Sequence, residues 1–380
     1  MAATRTPSSK LPVRVADSGL GSSGTHTPTS SSVTGSVSRS RSSRAKTSDP
    51  DFRTRVLHPR GITIDPDSSP VLKPWFHFRT PAPPSQGLSH FYRSLPGLKD
   101  TTVWLEGDEA FIDKVLREYR AMRELEENEA EYAAYAMEAL LRREPRGPCL
   151  ADSRPWWCVR KIEFATKPDE KLWQAPPVVD SRKSTKEFQF NLRPDCSYWI
   201  SLQAFNPGYR TLVKTFASVR QNRILCPYLT IEFKKSEKTL SEAVSQVAAS
   251  SAIALYNRYK LKAGRIKDTT SSWTPEHIAP LRHYGLIIAG RAYQFWCTEP
   301  VLDANQSWAG CRMFPLFESD CEERENIRHF IDWINEVHRW GLTVHGPSCE
   351  DDIKHRIHRL GGGARTSLIG QDDVFEEGIV

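Results

Sequence analysis

Residues 226–235 read CPYLTIEFKK, and this stretch decides how the rest of the chain is interpreted. Its central run, YLTI, is apolar and β-favouring, which predicts a buried strand. Side chains alternate between the two faces of a strand, so Glu232 and Lys234 point to one face and Phe233 points to the other. A buried strand with an acid and an amine on one face indicates either a functional site or an exposed strand end.

Composition limits the classes of protein to consider. A chain of 380 residues with 39% hydrophobic content and 11 Trp can bury a substantial core in one or two domains. The formal charge of +6 permits an anionic partner without requiring one. The 8 cysteines include no CxxC pair, which argues against a zinc ribbon and favours reduced core thiols. Neither a membrane-spanning apolar run nor a signal peptide is recognisable, so we expect an intracellular protein with no membrane partner.

Changes in composition divide the chain into four segments. Residues 1–50 are rich in Ser, Thr and Arg, which predicts a disordered tail. This tail is either a solvated linker or a basic nuclear-import or phosphate-contacting segment. Residues 51–100 are rich in Pro with aromatic patches and predict an irregular segment. Residues 101–345 predict the folded domain, and residues 346–380 predict a flexible tail.

Periodicity within the folded segment predicts helices around a sheet. Residues 109–143 are dense in helix formers, and a break near residues 126–128 would divide them into two helices. Further helices are predicted over residues 240–262 and 321–342. Strand patterns occupy residues 156–166, 186–205 and 226–235, and a hairpin around Gly290 is predicted within 283–300. This order indicates an α/β (α+β) domain in which a sheet is flanked by helices.

A second acidic residue lies upstream of the opening stretch. Asp195 follows Pro194 at the start of an aromatic strand, SYWISLQAF. If this strand pairs with residues 226–235, then Asp195, Glu232 and Lys234 meet at one end of the sheet. Two carboxylates that face one cavity repel each other unless a cation lies between them, and their oxygens suit Mg²⁺ or Mn²⁺. Such an ion polarises a phosphodiester oxygen and activates a bound water. Lys234 would either orient that water or stabilise the negative charge of the transition state.

The sequence Pro194-Asp195 followed by Glu232-x-Lys234 resembles the PD-(D/E)XK nuclease superfamily. Longer stretches are similar to uncharacterised fungal nuclease-like proteins, over roughly residues 100–345: NEAEYAAYAMEALL (128–141), RPDCSYWISLQAFNP (193–207), ILCPYLTIEFKK (224–235) and IDWINEVHRWGL (331–342). The resemblance implies a restriction-endonuclease-like fold, with a central mixed sheet flanked by helices. It also implies a metal-dependent nuclease whose partner is DNA or RNA.

The same resemblance implies roles for individual residues. Asp195 and Glu232 would be ligands of Mg²⁺ or Mn²⁺, and Lys234 would be the catalytic lysine. Glu129 would be the helix glutamate that helps to hold the metal, although Glu126, Glu127 and Glu131 are neighbouring candidates. Gln246, on the helix after the lysine, would be a polar residue that faces the site.

Each of these residues also has a structural interpretation. Glu232 and Lys234 would form an ion pair at a strand end, and Asp195 would stabilise a turn. Glu129 would be one of several solvated charges, and Gln246 a surface residue. The chain would then be an inactive nuclease-like fold that serves as a nucleic-acid or protein binding scaffold. The sequence pattern leaves three alternatives open: DNA or RNA as the substrate, endonuclease or exonuclease as the mode of cleavage, and the oligomeric state.

Overall fold

The structure is a computed structural model that describes residues 44–67, 69–144, 162–166, 173–183, 185–190, 192–205, 209–217, 219–236, 239–269 and 272–360. Most of the predicted N-terminal tail and the last part of the predicted C-terminal tail lie outside the described residues. Residues 44–50, which the sequence assigned to the N-terminal tail, are packed in part. Ala45 is buried, and its backbone N–H donates a hydrogen bond of 3.0 Å to the Glu187 carbonyl.

Seven strands of the described chain form a mixed sheet, in the order β1-β7-β6-β5-β4-β3-β2. Their bounds are β1 (Ile62–Ile64), β2 (Ile162–Thr166), β3 (Cys196–Ser201), β4 (Ile224–Lys234), β5 (His283–Ala289), β6 (Ala292–Leu302) and β7 (Trp308–Asp320). β4 pairs in parallel with β5, and β1 with β7, whereas the other neighbouring strands are antiparallel. The predicted α/β class, a central mixed sheet flanked by helices, is confirmed.

Helices lie on both faces of the sheet. Their bounds are α1 (Pro74–Phe78), α2 (Leu88–Ser94), α3 (Glu109–Glu124), α4 (Glu129–Tyr135), α5 (Arg210–Phe216), α6 (Leu240–Thr269), α7 (Pro275–Ile278), α8 (Arg324–Trp340) and α9 (Gly346–Leu360). Short π or 3₁₀ turns occupy Arg53–Leu57, His58–Arg60, Ala136–Leu140, Leu202–Ala204 and Gly341–His345. None of the described helices combines the length and apolarity that crossing a membrane requires.

Alternation along β5 shows how the two faces are covered. Tyr284, Leu286 and Ile288 belong to the core cluster that contains the buried residues of α3 and α8. Ile287 belongs instead to the cluster built around α6. β4, α6 and β5 therefore form a strand–helix–strand unit, in which α6 connects two parallel strands across one face of the sheet.

α6 approaches the sheet most closely at Gly285 of β5. A Cβ atom at this position would lie 2.3 Å from Cγ1 of Val247, so a larger residue would push α6 outward. The buried positions of α6 include several alanines, which permit this close approach. This contact fixes the position of α6 over β4 and β5.

A buried ion-pair cluster fastens α9 to α6. Asp352 is fully buried, and its Oδ2 lies 2.6 Å from Nη1 of Arg258 while its Oδ1 lies 2.9 Å from Nζ of Lys262. Burial favours the neutral acid, but the charges of the Arg258 and Lys262 side chains lower the pKa of the Asp352 carboxyl below its ordinary value. The carboxylate thus balances two cations that α6 carries into the protein interior.

Comparison with the sequence-based expectations gives both agreement and correction. The break between α3 and α4, the helix at α6, the hairpin of β5 and β6, and the helix at α8 all agree with prediction. The flexible tail predicted from residue 346 was wrong over residues 346–360, which form α9 and bury Ile353 and Ile357. Within the segment predicted as irregular, Ile62–Ile64 forms β1. Within the described part of the strand pattern at 186–205 the strand is β3, and β7 was not predicted. Of the strand predicted at 156–166, residues 162–166 form β2 and residues 156–161 lie outside the described residues.

Candidate active site

Antiparallel pairing of β3 and β4 brings two acidic residues together. The register pairs Cys196 with Ile231, and its continuation by one residue beyond the start of β3 sets Asp195 opposite Glu232. Oδ2 of Asp195 accepts a hydrogen bond of 2.9 Å from the backbone N–H of Phe233. The side chain of Asp195 therefore reaches across to β4, beside Glu232. The structure places next to each other the two carboxylates that the sequence pattern singled out.

Both carboxylates affect the pKa of the Cys196 thiol. Burial raises the pKa of this thiol well above its usual range, and the charges of Asp195 and Glu232 raise it further. Glu232 is only 6% exposed, whereas Asp195 is half-buried. Like charges directly opposite each other on neighbouring strands destabilise a sheet. This end of β3 and β4 therefore concentrates negative charge in a place with limited solvent.

Lys234 is the last residue of β4 and lies two residues after Glu232. Strand alternation puts both side chains on the same face, and Lys234 is half-buried. Among the described residues no ion pair joins these two side chains, while Glu232 has other interactions of its own. The ion-pair interpretation of this strand end and the catalytic one therefore both stay predictions.

α6 covers the face of the sheet to which Glu232 belongs. Glu232 pairs with Ile287 of β5, and cross-strand neighbours share a face. Ile287 packs in the cluster of α6, and Gln246 lies on that helix. Oε1 of Gln246 is buried and accepts no hydrogen bond from the described residues. A buried acceptor without a partner is costly and is typical of a site that takes up water or a ligand.

Glu129 begins α4 on the protein surface. It is exposed, and Asn128 caps the helix by accepting a hydrogen bond of 2.8 Å from the Ala130 N–H. Within the described ranges, no three His, Cys, Asp or Glu side chains lie close enough together to hold a metal ion. Glu129 is therefore not gathered with Asp195 and Glu232, and its role as a further metal ligand stays a prediction.

Arg143 is a site neighbour that the sequence analysis did not single out. Its positive charge opposes the increase in the Cys196 pKa, so the guanidinium lies within electrostatic range of the same thiol as the two carboxylates. The guanidinium carbon also lies 4.7 Å from the centre of the Phe164 ring on β2. The available sequence signal was the basic pair at the end of the glutamate-rich helical segment, which is equally typical of an ordinary helix end.

A pair of carboxylates is a ligand set that suits Mg²⁺, which proteins rarely enclose completely in their own ligands. Mg²⁺ retains several waters and is usually bound by one or two carboxylates together with substrate phosphates. Asp195 and Glu232 supply such a pair, and the hydrogen bond from Phe233 occupies one oxygen of Asp195 and leaves the other. The donor set therefore fits a hydrated divalent ion that is shared with a phosphate ligand.

No protein-family model, curated protein or solved structure matches this chain. The nuclease resemblance consequently rests on the Pro194-Asp195 and Glu232-x-Lys234 pattern and on the order of the surrounding elements.

Proposed function

We propose that this chain is a nuclease that uses a divalent metal ion to hydrolyse phosphodiester bonds in DNA or RNA. The observation that carries the proposal is the placement of Asp195 beside Glu232, with Lys234 two residues further along the same face of β4. Two carboxylates at adjoining strand ends, with an ammonium group on the same face of β4, are the groups that a hydrated divalent ion and a phosphate would require.

In this proposed reaction, Asp195, Glu232 and Lys234 would have separate roles. When bound, a Mg²⁺ or Mn²⁺ ion would supply an activated water and would polarise a phosphate oxygen. Asp195 and Glu232 direct carboxylate oxygens toward that ion, and the N–H of Phe233 fixes the orientation of Asp195. Lys234 donates hydrogen bonds to a phosphate oxygen and stabilises the negative charge that develops there.

A binding scaffold without catalysis is the second candidate function. It is favoured by the exposed position of Glu129 and by the absence of a three-ligand metal cluster within the described residues. In that case the Asp195 carboxylate would serve as a backbone acceptor, and the fold would bind nucleic acid or protein without cleaving it. The two functions make different predictions for one set of purified proteins.

Degradation of single- and double-stranded DNA and RNA in Mn²⁺ or Mg²⁺ tests the proposal. The wild type is compared with Asp195→Asn, Lys234→Ala and the matched control Lys235→Ala, whose lysine is exposed just beyond β4. We expect cleavage by the wild type and the control, and a loss of about 100-fold or more in Lys234→Ala, because a stabiliser of developing charge is removed.

The possible outcomes separate the candidates. Cleavage at one rate by all four proteins would identify a contaminating nuclease and contradict the assigned residues. Binding of a nucleic acid without cleavage by the wild type would favour the scaffold.

A further inference from the structure

Cys226 is the extra residue of a β-bulge near the start of β4. The register pairs Trp199 with Pro227 and Ile200 with Leu225, which leaves Cys226 without an opposite residue on β3. Its backbone adopts φ 45°, a left-handed conformation that is uncommon outside glycine. A bulge redirects a side chain from the regular alternation of a strand and occurs often beside functional sites.

The Cys226 side chain lines a cavity of about 230 Å³. The cavity also has aromatic and cationic walls, which Trp173, Phe216, Arg258 and Lys260 contribute. A space of this size admits water and small polar solutes. Cys226 is partly exposed and lines this cavity, so a small reagent that enters the cavity comes close to the Cys226 residue.

Cys349 of α9 lies beside Cys226 and is fully buried. Its sulfur is 3.5 Å from Nε2 of His345, and the same nitrogen is 3.0 Å from the carbonyl oxygen of Cys226. A carbonyl oxygen only accepts hydrogen bonds, so Nε2 carries the proton. The imidazole of His345 therefore contacts both the Cys226 backbone and the Cys349 sulfur, and holds the two cysteines close together.

The two sulfur atoms also interact directly. Burial favours the neutral Cys349 thiol, but the hydrogen bond from Cys226 and the charge of Arg258 hold its pKa well below the usual range. The same hydrogen bond, together with burial, raises the pKa of Cys226. The two side chains therefore share one hydrogen bond, which lowers the pKa of Cys349 and raises the pKa of Cys226.

This pair differs from the other described cysteines. The remaining four are buried, and for each of them burial is the largest cause of a raised pKa: Cys196, Cys297, Cys311 and Cys321. Cys226 and Cys349 differ from these four because their side chains are hydrogen-bonded to each other and one of them lines a cavity, so a second thiol lies beside the one that an oxidant reaches.

We propose that Cys226 and Cys349 form a redox-active pair that closes into a disulfide when a peroxide enters the cavity. The disulfide would join β4, the strand that carries Glu232 and Lys234, to α9. This proposal concerns the bulge and its cavity and does not depend on nuclease activity.

The reaction balances with hydrogen peroxide as the oxidant. The two sulfur atoms share one proton across their hydrogen bond, and when that proton lies on Cys349 the Cys226 thiolate attacks one peroxide oxygen. A sulfur–oxygen bond forms, the oxygen–oxygen bond breaks, and the leaving hydroxide takes the proton from Cys349 to become water. The Cys349 thiolate then attacks the sulfenic sulfur, a disulfide forms, and the departing hydroxide is protonated by solvent. Two cysteines are oxidised, and one peroxide is reduced to two waters.

Peptide mapping of the oxidised protein tests the proposal. The reduced full-length chain is titrated with hydrogen peroxide, blocked with a thiol-alkylating reagent and digested with trypsin without reduction. Trypsin releases Cys226 in ILCPYLTIEFK (224–234) and Cys349 in WGLTVHGPSCEDDIK (340–354), each with a single cysteine. We expect these two peptides to be linked, and a reductant to return both in alkylated form.

Two variants sharpen the measurement. Cys311→Ser removes a buried thiol outside the pair and should leave the rate of linkage within about twofold of the wild type. Cys226→Ser should abolish the link. Recovery of both wild-type peptides unlinked and alkylated after prolonged treatment with excess peroxide would overturn the proposal. Because the readout is a covalent bond, its failure is distinguishable from a failure to detect nuclease activity.

Discussion

Replacing Asp195 by Asn removes one of two facing negative charges and keeps an acceptor for the Phe233 N–H. Asn retains a side-chain oxygen at the position that accepts the 2.9 Å hydrogen bond. The repulsion between the carboxylates of Asp195, before β3, and Glu232, near the end of β4, is then lost. We expect the metal-free variant to be more stable than the metal-free wild type, although it should be less active.

The geometry sets the size of this effect. Opposite residues of an antiparallel pair have Cβ atoms about 5 Å apart, and two unit charges at that distance repel by about 3 kcal/mol at an effective dielectric constant of about 20. Asp195 is half-exposed and Glu232 has other interactions of its own, so water, salt and those interactions reduce much of this repulsion. We therefore expect the free energy of unfolding to rise by about 1 kcal/mol.

Asp195→Ala is the matched comparison. It relieves the same repulsion but leaves the Phe233 N–H without its acceptor, which costs about 1–3 kcal/mol. The alanine variant should therefore be less stable than the asparagine variant by about that amount. Urea unfolding at pH 7 with a chelator, followed by tryptophan fluorescence, measures both differences. If Asp195→Asn lowers the free energy of unfolding by 1 kcal/mol or more, the carboxylate is a structural turn residue and the reasoning fails.

Three further predictions concern the frame of the site. Asp352→Asn leaves two cations of α6 buried without a counter-charge and should lower the free energy of unfolding by about 3–5 kcal/mol. The control Asp351→Asn, at the exposed neighbouring residue, should change it by less than about 0.5 kcal/mol. Equal effects of the two substitutions would contradict the structural role of the buried ion-pair cluster. Gly285→Ala introduces a Cβ against the valine of α6 and should cost about 1–3 kcal/mol in urea unfolding, whereas a neutral result would show that α6 moves freely. Burial lowers the pKa of His283 and His338 from 6.5 to about 3. Below pH 6.5 these histidines bind protons only after unfolding, so the free energy of unfolding should fall from pH 6.5 toward pH 3. His338→Gln should reduce that fall by about 1.4 kcal/mol per pH unit. An unchanged slope in the variant would refute a neutral His338 in the folded protein.

The sequence predicted the centre of the fold because its periodicity was regular there. The run at β4 and the alanine-rich α6 each show one dominant period, and Gly290 marks the turn of the β5–β6 hairpin. β7 was missed because Gly310 and Pro315 interrupt its pattern. The structure accommodates Pro315 at a register shift opposite Trp296, where a ladder hydrogen bond is not required.

Long-range partners explain the other misses. α9 has a polar composition, and only its contact with α6 shows that Asp352 is buried rather than solvated. Arg143, and the pairing of Cys226 with Cys349, likewise depend on residues far apart in the chain. By contrast, the motif order suggested that Asp195 and Glu232 lie together, because adjacent antiparallel strands bring their ends into register. No local pattern identified which helix glutamate, if any, approaches them.

Titration of the metal-free protein with Mn²⁺ in a calorimeter tests the central claim most directly. The claim is that Asp195 and Glu232 together hold a divalent ion, so the wild type should bind Mn²⁺ and Asp195→Asn should bind it at least about tenfold more weakly. Glu129→Gln, in the same series, shows whether the exposed helix glutamate contributes to the affinity. Equal Mn²⁺ affinity in the wild type and Asp195→Asn would contradict the account, because the carboxylate at the start of β3 would then not be a ligand.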